Sequence, residues 1–212
     1  MTMRGDLENS KNQYSMSFTT GGLFYNESLL IVDEYFATTD WEITRKSVFA
    51  KNSIQARTES SIKRRVREIC SRLELLSEQQ LVLIKNGSRQ EQQYLLWVAV
   101  CKCYPFIRDF MIEIVREKYL RMDLHLQRQD YDFFFEEKAE WHEELERLRD
   151  STRAKLRQVL FKTMREAEII SREDMIIPGL LTEQLSKVLA ADNPSWLAML
   201  PVSDMDINSW LA

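Results

Sequence analysis

Five glycines and four prolines are all that this chain of 212 residues has for punctuating its backbone. A strand-rich protein needs a turn roughly every 8–12 residues, and those two residues make most sharp turns. Their scarcity therefore predicts long helices and an all-α fold. With 44% hydrophobic residues the chain can bury a core without disulfides or metals. Its longest unbroken apolar run, Leu95 to Cys101, is far short of the ~18–20 residues of a membrane-crossing helix. The stretch Met1 to Ser17 is polar and lacks the apolar centre of a secretory signal. Cys70, Cys101 and Cys103 have no framework spacing and suit reduced thiols. These features predict a cytoplasmic protein without a membrane partner.

The helical pattern resolves into segments with recognisable ends. Leu23 to Phe36 reads as a first helix behind the turn at Gly21-Gly22, which has no following Gly-Lys-Ser/Thr and so is no phosphate loop. Asp40 suits the N-cap of a second helix, closed by Asn52-Ser53, and Thr58 that of a third. Ser77 and Ser88 both open capping boxes, and Pro105 should break the apolar helix that follows Ser88. A helix from Ser151 to about Glu168 comes next. Residues 169–178 have β-branched pairs around a polar centre, the pattern of a small β-hairpin wing. Asn86 to Ser88 is the best boundary, giving units 1–87 and 88–212.

The formal net charge of −4 hides a strong segregation. Residues 57–72 hold six bases against Glu59 and Glu68, and residues 147–165 hold seven against Asp150. Between them, residues 130–146 hold eight acids against Lys138, and residues 166–212 hold eight against Arg172 and Lys187. Two basic helices are embedded in an acidic body.

In the first basic helix Ile62, Val66, Ile69 and Leu73 form one apolar stripe. Ser60, Arg64, Arg67 and Ser71 point within about 40° of the opposite direction, with Lys63 on the flank. A basic, hydroxyl-bearing face opposite the core has the composition that reads duplex DNA, since Arg pairs with guanine edges and Ser reaches phosphates. Two helices, a short turn and a basic third helix also match the order of a helix-turn-helix. A shift of 90 residues aligns Ser61, Lys63, Arg65, Arg67 and Arg72 with Ser151, Arg153, Lys155, Arg157 and Lys162, a second helix-turn-helix candidate. Two recognition helices on one chain can occupy successive DNA grooves. The expected nucleic-acid-binding residues are Ser60, Ser61, Lys63, Arg64, Arg67, Ser71, Arg153, Lys155, Arg157 and Lys162.

Enzyme chemistry finds no foothold in the pattern. His125 and His142 have no second ligand at metal spacing, Cys101 and Cys103 point about 200° apart on a helix, and no nucleophile elbow is present. No catalytic residue, metal or cofactor is expected. Tyr131, Phe133, Phe134, Phe135 and Trp141 are expected to build core between the acidic helices, which themselves are either a solvated face or a dock for a basic partner.

Three blocks, Ser17-Phe18-Thr19-Thr20-Gly21-Gly22-Leu23, residues 52–73, and residues 130–168 with Trp141-His142 and Asp150-Ser151-Thr152-Arg153, together resemble the BrxA family of bacterial BREX phage-defence systems. The resemblance spans nearly the whole chain. It implies an all-α fold similar to the antitermination factor NusB, helix-turn-helix elements, DNA binding, and service beside a methyltransferase, a phosphatase-like protein and an ATPase without chemistry of its own. A role as a scaffold docking other BREX components, or as a NusB-like RNA binder, remains the alternative.

Overall fold

A computed structural model of the chain describes residues 13–19, 21–51 and 58–211. The described residues contain helices, two isolated β-bridges and no strand, as so few turn-formers predict. The expected closure of the second helix at Asn52-Ser53 and the head of the resemblance block at 52–57 lie outside the described residues.

Helices α1 (Tyr25–Thr38), α2 (Trp41–Ala50) and α3 (Glu59–Leu73) pack on one another. Their ends follow local chemistry: Asp40 accepts from the Ile43 N–H at 2.8 Å, and Thr58 accepts from the Ser61 N–H at 3.2 Å. α4 (Glu78–Asn86) and α5 (Arg89–Cys103) open with the two capping boxes, Ser77 with Gln80 and Ser88 with Glu91. Tyr104 is extended and Pro105 occupies the first turn of α6 (Pro105–Phe110), so the proline ends α5 and starts its successor. α6 runs through a π-helical turn, Met111–Arg116, into α7 (Glu117–Leu120). The acidic segment forms α8 (Arg128–Ala139) and α9 (Glu143–Glu146), the second basic segment forms α10 (Asp150–Glu166), and α11 (Glu183–Asp192) and α12 (Asp204–Leu211) complete the chain.

α5 is the axis of the molecule, buried on every side from Glu91 to Cys101. Its Trp97 donates Nε1–H to the Met199 carbonyl at 2.8 Å, which ties the C-terminal segment to the body. Apolar residues from α1 through Val202 form one contiguous cluster.

Residues 169–178 double back, Ile177 N–H donating to the Ile169 carbonyl at 2.9 Å and Ser171 N–H to Met175 at 2.7 Å. The hairpin expected there amounts to isolated bridges, with Ile169, Ile170 and Ile176 buried and residues 124–126 running alongside. It is stitched into the body and does not project as a wing.

Candidate nucleic-acid interface

The first basic helix presents its charge as the helical wheel predicts. Ile62, Val66, Ile69 and Leu73 are buried, while Ser60, Ser61, Lys63, Arg64 and Arg67 are exposed. Ser71 is half-buried, and its hydroxyl donates to the Glu68 carbonyl at 2.9 Å. Lys63 pairs with Glu59 at 2.8 Å on the open surface and lies 4.9 Å from the centre of the Phe49 ring. Arg64 and Arg67 make no ion pair among the described residues, and neither does Lys155. Arg45, Phe49, Lys63, Val66, Arg67 and Ser71 line a groove of about 520 Å³ between α2 and α3, with apolar floor and basic rim.

The second basic helix does not stand one DNA turn away. Lys155, Gln158 and Lys162 of α10 and Ser61, Arg64, Arg65 and Glu68 of α3 line a single groove of about 550 Å³, together with Phe24. A neighbouring cleft of similar volume continues past Arg65 and Lys162 to Arg89 and Arg165, but it is mixed in charge, with Glu27, Glu166 and Glu168 also in its lining. Segments that are about 90 residues apart in sequence thus share one basic surface.

The linchpin between these walls is the Gly21-Gly22 turn. Arg72, 5% exposed, pairs with Glu68 at 2.7 Å and donates to the Gly22 carbonyl at 2.8 Å. From the other side Glu166 of α10 accepts the Leu23 N–H at 2.6 Å. Gly21 has φ +146°, and a Cβ on Gly22 would collide with the Glu166 carboxylate. Gly21 answers to its positive φ and Gly22 to the close approach of Glu166.

Arg153 and Arg157 have other employment. Arg153 donates to the Asp132 carbonyl at 2.9 Å and the Glu136 carboxylate at 3.0 Å, with its guanidinium 4.5 Å from the Phe135 ring centre. Arg157 pairs with the Asp132 carboxylate. Both therefore fasten α8 to α10. The internal repeat survives in its apolar members, since Val66 and Ile69 are buried like Leu156 and Val159. Its cations diverge: Lys63 is exposed and Arg153 is held, Arg72 is buried and Lys162 is exposed.

The acidic helix also departs from expectation. Tyr131, Phe134 and Phe135 are in the core, but Phe133 is 68% exposed and Trp141 83% exposed. Helical geometry cannot bury four of five consecutive positions on one side, so Phe133 faces out. Cys70, the cysteine closest to a basic setting, is fully buried, and desolvation pushes its thiol up to about 11. No group of three or more metal-ligating side chains occurs among the described residues. No helix there is long and apolar enough to cross a membrane.

The architecture defines an all-α protein class that recurs in a crystal structure of an uncharacterized protein from Magnetospirillum magneticum, with a TM-score of 0.75, 20% identity, and coverage of 89% of this chain and 98% of that one. At the sequence level residues 12–193 match the BrxA family model, and the chain belongs to the BrxA family. It is 29% identical over 147 residues to the BREX protein BrxA of Escherichia coli O9:H4 strain HS, covering 69% of each chain. It is 25% identical over 134 residues to the BREX protein BrxA of Bacillus cereus strain H3081.97, covering 63% of this chain and 66% of that one.

Proposed function

We propose that this BrxA-family chain is a non-enzymatic, double-stranded DNA-binding accessory protein of a BREX-type phage-defence system, with other BREX components as its protein partners. The observation that carries the reading is the convergence of α3 and α10 on one groove. Both walls present a cation with no acidic partner among the described residues, Arg64 on α3 and Lys155 on α10, whose like charges repel across the cleft. The repulsion is relieved when a phosphodiester backbone lies between the walls.

In this arrangement α1 to α3 act as a helix-turn-helix, with α3 towards the major groove. Ser60, Arg64 and Arg67 face base edges and phosphates, Ser61 and Lys63 flank them, and Lys155 and Lys162 hold the backbone from the opposite wall. The partners Glu59 and Glu166 do not stand in the way of Lys63 and Lys162. Exposed ion pairs contribute only about 0–1 kcal/mol, so a phosphate can replace them. Arg153 and Arg157 support this face by holding α10 against α8.

The test is competition. A labelled duplex bound to the full chain should be displaced by unlabelled duplex at concentrations at least tenfold below those needed with RNA of equal length. The double variant Arg64→Ala, Lys155→Ala should lose duplex affinity while keeping its melting temperature. Preferential displacement by RNA, or unchanged duplex affinity in the variant, would overturn the assignment.

A further inference from the structure

The acidic surface on the other side of α10 carries two aromatic rings that core packing does not explain. Phe133 and Trp141 are among the most exposed large apolar side chains of the described residues, at 68% and 83%. Within α8 a 100° rotation per residue puts Phe133 and Glu137 on one face, and the turn that ends the helix carries Glu140 and Trp141. Glu137 and Glu140 are exposed and pair with no cation among the described residues. The one base of the segment, Lys138, is turned away to Glu113 at 2.7 Å and lies 5.1 Å from the Phe134 ring centre. Asp132 and Glu136, the second of them exposed, are committed to Arg153 and Arg157. What remains outside is a strip of two large rings separated by unneutralised carboxylates.

We propose that the outward face of α8 with Trp141 is a docking surface for a basic amphipathic helix of a partner protein. Trp and Phe dominate interface energetics when buried, and an exposed apolar strip of this kind accepts the apolar face of an amphipathic helix. Carboxylates between the anchors select lysine- or arginine-bearing partners by charge complementarity and repel nucleic acid. The protein is thus two-faced, one side suited to a polyanion and the other to a polycation.

The probe is a fluorescein-labelled 18-residue helical peptide with Leu at i, i+3, i+4 spacing and Lys elsewhere, beside a matched peptide with Glu for Lys, titrated against the full chain in 150 mM salt. The Lys peptide should bind saturably and the Glu peptide should not. Trp141→Ser, and separately Glu137→Lys with Glu140→Lys, should each weaken binding at least tenfold. Glu117→Lys with Glu173→Lys, the same charge change elsewhere, should alter it less than twofold. Each variant should melt within about 2 °C of the parent and bind duplex DNA no more weakly, which separates this inference from the DNA-binding reading. Absence of binding, equal weakening by the control pair, or a dimer that Trp141→Ser converts to monomer would each overturn the proposal, the last by assigning the face to a second copy.

Discussion

Arg64 and Arg153 each belong to one of the two basic helices, and their surroundings make them opposites. Arg64 is exposed and free of acids among the described residues, so Arg64→Ala or Arg67→Ala should change stability by less than about 0.5 kcal/mol while lowering duplex affinity. Arg153→Ala removes two hydrogen bonds and a cation–π contact and should cost about 1–3 kcal/mol by chemical denaturation. A melting series over these variants checks both expectations. The wheel found Arg64 because its own helix contains the needed information, an apolar stripe and its opposite. The 90-residue alignment that singled out Arg153 carries no sign of its partners, because Asp132 and Glu136 come from another helix and no local period encodes them. Glu91 behaves likewise: burial acts to raise its carboxyl, but hydrogen bonds from the Thr182 hydroxyl and from Ser88 outweigh it and hold the group below its ordinary 4.5. A depressed folded-state value contributes stability that is complete above pH ~4.5 and is lost as pH falls through the lower folded value. Thr182→Val should therefore shift the acid-unfolding midpoint upwards, measured by circular dichroism.

At the level of elements, the helix ends were the most legible part of the chain. Asp40, Thr58, Ser77 and Ser88 cap helices as their side chains require, and Pro105 divides α5 from α6. In the sequence Gly21-Gly22 reads only as a turn ahead of the first helix. Its real constraint is tertiary, since Arg72 and Glu166 grip it from two elements distant in sequence. Gly22→Ala should then destabilise the protein by about 1–3 kcal/mol, by urea titration, because the Glu166 carboxylate has to swing aside and give up the Leu23 N–H. It should also weaken duplex binding although no cation is removed, because it spreads the walls of the groove. Affinity unchanged in a folded Gly22→Ala protein would separate α3 from α10 functionally. The 169–178 segment was read correctly as a reversal and incorrectly as a projection. Its Ile side chains complete the core, and alternation alone does not tell a buried turn from a free wing.

Across the whole molecule, the helical fold followed from a lack of glycine and proline and from clean amphipathic periods, and the charge segregation was visible in the sequence. Where the charges meet was not. The net charge of −4 resolves into basic walls that face each other and an acidic strip that faces away. Such a molecule should bind duplex DNA with a salt dependence set by the few cations at the groove and not by its overall charge. The decisive measurement is duplex affinity by fluorescence anisotropy from 50 to 300 mM salt, for the parent and for Arg64→Ala with Lys155→Ala. Each phosphate contact contributes a slope of about −0.9 in log K against log salt, so losing both cations should reduce the slope by about two as well as lowering affinity. A parent whose affinity ignores salt, or a variant whose slope equals the parent's, would contradict the assignment of this groove to the DNA backbone.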